Sequence, residues 1–201
     1  MEVRAEIIWP VCAYLTGAIP FGLLIARFRG LDLLSQGSGN IGATNVTRVM
    51  GKRLGIITLL ADVSKGLLLV AGCIWFLDGT QGTDLWVAAT GLAAVSGHCY
   101  SVFLKFRGGK GVATAAGVFI PICPAAVCLA VIPFFLIVKK WGFVSAGSLA
   151  ASAAVPLLLH FFCPSMELEI MAWLIAGIIW IKHRDNIGRL LRGEEKSWKK
   201  G

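Results

Sequence analysis

Apolar residues come in long blocks along this chain, not in the alternating pattern of strands. Residues 7–26, 54–77, 85–104, 112–138, 144–162 and 170–181 form runs almost free of charge. A helix needs about 20 apolar residues to cross a bilayer, and these runs reach that length or, for the last, approach it with some flank. The polar breaks between them differ in sign. Arg27, Arg29, Arg48, Lys52 and Arg53 follow the first run, Lys105, Arg107 and Lys110 the third, and Lys139 and Lys140 the fourth. Lys182, Arg184, Arg189, Arg192, Lys196, Lys199 and Lys200 form the tail. The other two breaks carry Asp78, Asp84, Glu167 and Glu169 with no lysine or arginine.

Basic loops stay on the cytoplasmic side of a membrane, so the N-terminus is expected outside. The run at 112–138 then raises a question of parity. Lys110 lies inside at its start, and Lys139 and Lys140 belong inside at its end. One crossing would carry those lysines and the whole basic tail to the wrong side. The stretch "PICP" at 121–124 supplies a break, because proline lacks the amide donor and clashes with the preceding turn. Two short helices, at 112–120 and about 125–138, return the chain to the cytoplasm. The expected fold is an all-α integral membrane protein, one polytopic domain over 1–201. It has about seven transmembrane helices, some short and broken by proline, with the N-terminus outside and the C-terminus cytoplasmic.

Composition agrees with the pattern. Of 201 residues, 57% are hydrophobic, and mean hydropathy is +0.77. Only 15% are charged, against about a quarter in soluble domains. The first run lacks a preceding basic region and a small-residue cleavage site, so no signal peptide is expected. A net charge of +8 raises the possibility of nucleic acid. The basic residues sit at the ends of apolar runs, with no basic helix face or aromatic platform, so no nucleic-acid partner is expected. Six cysteines without metal-like or framework spacing read as small apolar residues.

Under this topology the chemistry-bearing segments share the cytoplasmic side: 35–53, 96–114 and 182–195, with the weaker "SAGS" at 145–148. The first contains "GSGNIGATNVTR" and the second "GHCYSVFLKFRGGKGVAT". Glycine permits close backbone approach. Successive amides and helix N-termini bind anions, and Lys110 stands between glycines just before a helix. No Walker motif occurs. Gly37, Gly39 and Gly42 fit G-x-G-x-x-G, but no strand precedes them and no βαβ unit fits here, so a dinucleotide site is excluded. The tail charges Arg189, Arg192, Lys196, Lys199 and Lys200 read as topology signals and headgroup contacts. Ser38, Asn40, Asn45 and Arg48 lie where topology alone asks for charge, not for amides and glycines.

Asp62 and Lys65 fall inside the second run about two turns from its cytoplasmic end. Charges in a membrane are costly and usually paired, and spacing i, i+3 lets these two meet. They read either as an ion pair that props the site or as direct ligands. His160 reads as structural, while His98 and His183 lie at the polar face and are site candidates.

Taken together, "GSGNIGATNVTRVMGK", "GHCYSVFLKFRGGKGVAT" and "HRDNIGRLLRGEE", with "ADVSKG" at 61–66, resemble the acyl-phosphate-dependent glycerol-3-phosphate acyltransferase (PlsY) family of bacterial membranes. The resemblance spans residues 13 to about 195, in order. It implies a seven-helix enzyme of the bacterial cytoplasmic (inner) membrane with its active site facing the cytoplasm. Such an enzyme moves a fatty acyl group from acyl phosphate to the 1-hydroxyl of sn-glycerol 3-phosphate, giving lysophosphatidic acid and phosphate, the first step of phospholipid synthesis. Neither acyl-CoA nor acyl carrier protein is the direct donor, and no metal or other cofactor is required. Its partners are the two substrates and membrane lipid, with no obligate protein partner. By motif position the resemblance makes Ser38, Arg48, Lys110, Asn186 and Ser148 phosphate ligands, and His183 the residue that positions the glycerol moiety. His183, Lys110, Arg48 and Asn186 form the catalytic set, and Gly37, Gly39, Asn40, Asn45, His98, Gly109 and Gly111 shape the pocket. The chain has "GHCYS" where the family carries proline, and a looser turn is expected at Ser101.

The chemistry fits. Both substrates are anionic, one has a fatty tail, and one is soluble, so a cationic site open to bilayer and cytoplasm suits both. None of the three histidines has an acid five residues on, so the H-x-x-x-x-D arrangement of common acyltransferases is absent. Direct attack within a ternary complex is expected, with the base a substrate phosphate oxygen or His183. Cys99 is the best placed alternative nucleophile, though nothing in the sequence lowers its pKa. A transporter for an organic phosphate is the competing reading. No internal repeat is visible, and the outer breaks are acidic.

Overall fold

A computed structural model describes residues 5–198, so Lys199 and Lys200 lie outside the described residues. Among these the chain is all-helical. Ten α-helices follow in order: α1 Ile8–Gly17, α2 Phe21–Phe28, α3 Ala43–Met50, α4 Lys52–Leu77, α5 Thr83–Cys99, α6 Val112–Ile122, α7 Pro124–Trp141, α8 Val144–Phe162, α9 Met166–Lys182 and α10 Arg184–Leu191. Single 3-10 turns occupy Ala5–Ile7 and Val102–Leu104. Five stretches are long and apolar enough to cross a membrane: Ile8–Phe28, Lys52–Leu77, Thr83–Leu104, Pro124–Trp141 and Val144–Phe162. The protein is a multi-pass helical membrane protein. Large apolar side chains such as Leu60, Trp75, Phe135 and Phe161 face outward, as lipid-facing helices require.

The run at 112–138 folds back on itself. α6 ends at Ile122, Cys123 leaves the helical conformation at φ −149°, ψ 80°, and α7 starts on Pro124. Proline is tolerated at the first helical position, where its missing amide has no partner to lose. Residues on both sides of this hairpin, Lys110 and Gly111 before it and Val144 and Ser145 after it, line one cavity. The hairpin therefore starts and finishes at the same end of the bundle. At 11 residues, α6 is about 17 Å long, short of the roughly 30 Å hydrocarbon layer.

The first run differs from the expected continuous helix. It breaks between Gly17 and Phe21, because Pro20 cannot donate to the preceding turn. Ser101, which follows the C-terminal end of α5, answers this break: its buried hydroxyl donates to Ala18 O at 2.6 Å. The expected looser turn at Ser101 is instead a tie between the end of α5 and the α1–α2 joint.

α4 packs closely on α6, α1 on α5, and α7 on α8, with α9 between α5 and α8. Small residues allow these approaches, as in other membrane bundles. At the α4–α6 crossing a Cβ on Gly66 would meet Thr114 O, and one on Gly117 would meet Val63 O. The core between α4, α5, α6, α8 and α9 is filled by Val70, Val95, Val118, Phe119, Leu159, Met171 and Ile175.

Candidate active site

The segment 35–53, read from sequence as a polar loop, holds the two-turn helix α3 within it. Asn45 on α3 is buried and fixes the loop before it. Its Oδ1 accepts from Ser38 N at 2.7 Å, and its Nδ2 donates to Gln36 O at 3.1 Å. Gly37 and Gly39 take positive φ in this loop. A Cβ on Gly37 would collide with Asn45 Oδ1, so this turn requires glycine for space as well as for φ. Asn40 Oδ1 accepts from Gly42 N at 2.8 Å, a local turn that delivers the chain into α3. Ser38 and, on α3, Arg48 are thereby set on one wall of the cavity.

The second wall is the glycine loop 108–111. Gly109 N donates to His98 O at 3.0 Å. Lys110 follows, and Gly111, at φ +83°, turns the chain into α6. Lys110 Nζ donates to Asn186 Oδ1 at 2.5 Å. The third wall is the junction of α9 and α10. His183 is buried there, and its Nδ1 donates to Ile179 O at 2.8 Å. That bond fixes the tautomer and leaves Nε2 as an acceptor.

The tail completes the enclosure. α10 ends, Gly193 turns at positive φ, and Glu195 comes back over the site. Glu195 Oε1 accepts from Asn186 Nδ2 at 2.6 Å and from Ser145 Oγ at 2.8 Å, and its Oε2 from Arg189 Nε at 2.7 Å. Lys196 Nζ donates to Gly37 O at 3.0 Å, and Arg48 Nη2 to Lys196 O at 3.4 Å.

One cavity of about 540 Å³ joins these walls. Ser38, Asn40, Asn45, Arg48, Lys110, Ser148, His183, Asn186, Gly37, Gly111 and His98 all line it, while Gly39 and Gly109 are not among its lining residues. Its far part is apolar. It runs between α6 and α7 past Ala116, Ala130 and Ala151 to Phe119 and Val155. Leu59 on α4 and Val131 and Phe135 on α7 line it and also reach the outer surface, so it is open to the side.

Electrostatics at the polar end follow from burial and crowding of charge. Burial lowers the Lys110 pKa to about 8, Arg189 and Arg48 act in the same direction, and Glu195 opposes them. Burial, then the nearby Lys110 charge, lowers His183 to about 4, so it is neutral at pH 7. Burial would raise Glu195, but hydrogen bonds from Asn186, Ser145 and Arg189 outweigh it and hold the carboxyl below its usual range. The polar end is thus cationic around the Glu195 carboxylate, with Asp62 further along the lining, and His183 is a hydrogen-bond acceptor.

Several polar cavity residues were given no ligand role in the sequence reading, Lys196 among them. Arg189, read as a headgroup contact, lines the cavity and pairs with Glu195. Glu195 and Ser145 carried no role, since only the return of the tail brings them together. The i, i+3 spacing did foretell the Asp62–Lys65 pair, which forms at 2.8 Å. Cys99 is fully buried and not among the cavity-lining residues. All six cysteines are free. His160 is exposed and lies 3.0 Å from Glu169.

A family model described as glycerol-3-phosphate acyltransferase matches residues 7–193. The chain is 48% identical over 195 residues to the glycerol-3-phosphate acyltransferase of Desulfotalea psychrophila, covering 97% of this chain and 99% of that one. It is 48% identical over 196 residues to that of Geobacter sulfurreducens, covering 96% and 98%. Among solved structures, it is similar to PlsY (YgiH), an integral membrane glycerol 3-phosphate acyltransferase, in its glycerol 3-phosphate form. That match has a TM-score of 0.91 and 38% identity, over 96% of this chain and 95% of the other. The lysophosphatidic acid form of the same protein gives 0.89 and 37%.

Proposed function

The chain belongs to the glycerol-3-phosphate acyltransferase family, and from that premise we propose that it transfers a fatty acyl group from acyl phosphate to the 1-hydroxyl of sn-glycerol 3-phosphate. The products are lysophosphatidic acid and phosphate. The observation that carries this reading is the single cavity with two characters. Its near end gathers Ser38, Arg48, Lys110 and Asn186, and its far end is an apolar slot open to the side. A transporter needs a second, opposite access, and relatives and solved neighbours bear the name acyltransferase, which leaves the transporter reading without support.

The chemistry is a direct acyl transfer. The glycerol oxygen forms a bond to the acyl carbon, the bond from that carbon to the phosphate oxygen breaks, and phosphate leaves with the electron pair. Lys110, Arg48 and the Asn186 and Ser38 groups hold the two anions together against their repulsion, which is where most of the acceleration arises. Ser148 lies beside them in the lining. His183 Nε2 accepts from a glycerol hydroxyl and so aims it. With its pKa near 4, His183 is a weak base. A phosphate monoester, with its second pKa about 6, is the better acceptor for the hydroxyl proton.

The charge pattern supports one polytopic domain with seven crossings, counting the shorter α6 and α9 with the five long spans. The N-terminus is then outside, and the site faces the cytoplasm of a bacterial inner membrane. A donor assay on the purified protein tests the function. With glycerol 3-phosphate, acyl phosphate gives lysophosphatidic acid and one phosphate per turnover, while acyl-CoA and acyl carrier protein thioester give none. Turnover with either thioester, or phosphate uptake into vesicles without acyl transfer, overturns the reading.

A further inference from the structure

Beside the glycine loop lies a charged cluster to which the transfer chemistry assigns no step, although Asp62 and His98 both reach the cavity lining. Asp62 and Lys65 on α4 are each 2% exposed, and His98 on α5 is 4% exposed. Lys65 Nζ lies 2.8 Å from Asp62 Oδ1 and 3.3 Å from His98 Nδ1, and Asp62 Oδ1 lies 3.6 Å from the same ring nitrogen. Lys65 also sits over the Phe21 ring at 5.1 Å. An ammonium has only donors, so His98 Nδ1 accepts, and the ring proton is on Nε2. That edge faces the loop: a Cβ on Gly109 would collide with His98 Nε2, and one on Gly108 with His98 O. The Gly109 amide in turn donates to His98 O. The loop that carries Lys110 is therefore seated on His98, and His98 is held by an ion pair on a different helix.

We propose that the Asp62–Lys65 pair, acting through His98, positions the 108–111 loop so that Lys110 meets a substrate phosphate. Asp62 and Lys65 are positioning residues in this scheme, and His98 is the part that touches the loop. The ion pair has a reason to be buried in a membrane helix, where charge is costly. Lys65 Nζ, held beside the carboxylate by charge, donates to the ring at 3.3 Å and so directs it in a way that apolar packing does not, while Asp62 Oδ1 accepts no hydrogen bond from the described residues. This inference rests on the reading of Lys110 as a phosphate ligand.

The test is titration of purified protein in lipid nanodiscs with inorganic phosphate, alongside steady-state kinetics. Because Asp62→Asn strands a buried ammonium, the paired neutral variant Asp62→Asn/Lys65→Met is made as well, and folding is checked by circular dichroism. Both variants are expected to bind phosphate about tenfold more weakly, as a misplaced loop does. In a Lys110→Ala background, adding Asp62→Asn should change phosphate affinity less than about twofold, because the route it acts through is already gone. A general loss of structure does not produce that non-additivity. A fall in kcat at unchanged phosphate affinity would make Asp62 a substrate contact and overturn the proposal, as would an undiminished effect in the Lys110→Ala background. If Lys110→Ala alone leaves phosphate affinity unchanged, the phosphate reading of the loop falls first, and the positioning role with it.

Discussion

Lys110 is the residue on which most of the site converges. It is the only lysine within the glycine loop, it bonds Asn186, and Arg48 and Arg189 act on its charge. Lys110→Ala and Arg48→Ala should each lower kcat/KM by about a hundredfold or more, with normal insertion and elution on size exclusion. The lowered pKa gives a sign to the pH profile. In the free enzyme Lys110 is protonated below about 8 and loses its charge as pH rises through that value, whereas the arginines keep theirs. kcat/KM should therefore fall on the alkaline side near pH 8, and Lys110→Arg should move that limb upward. His183, near 4, adds no limb in the usual assay range. An unchanged alkaline limb in Lys110→Arg would assign it to another group. The gathering of these residues at one cavity was legible in sequence because glycines, amides and charges sat where topology needed only charge. Arg189 and Glu195 were not legible. Their pairing depends on the turn at Gly193, and a carboxylate in a basic tail looks from sequence like a solvated one.

Two breaks show what can and cannot be read about helices. The 112–138 run announced its fold-back twice, through "PICP" and through lysines at both ends that demanded an even number of crossings. The break at Pro20 had no such second signal. The residue that satisfies it, Ser101, is 83 positions away, and a freed carbonyl in a membrane finds its partner in space, not in sequence. Ser101→Ala leaves Ala18 O buried and unpaired. The expected cost is about 1–3 kcal/mol, seen as a lower thermal midpoint, with Ser101→Thr close to wild type. α3 went unread for a related reason. Eight residues that mix apolar and polar types carry no clear helical signal, and Asn45 ties the helix they form to the preceding loop.

Across the whole molecule, one class of experiment fixes the orientation. Gln81→Cys, between α4 and α5, should react with a membrane-impermeant maleimide on intact cells. Arg107→Cys, next to the glycine loop, should react only after permeabilisation. The reverse pattern would invert the bundle and contradict the placement of the basic breaks. The side opening between Leu59 and Phe135 has a further consequence. A cavity open to the side at one end and to water at the other would meet its two substrates on different concentration scales. Glycerol 3-phosphate arrives as a molarity. On the proposed reading, acyl phosphate arrives as a mole fraction of the leaflet. Adding inert lipid at constant total volume should slow the reaction as if the donor had been removed, though its bulk concentration is unchanged. The acceptor's KM, by contrast, should not respond to that surface dilution.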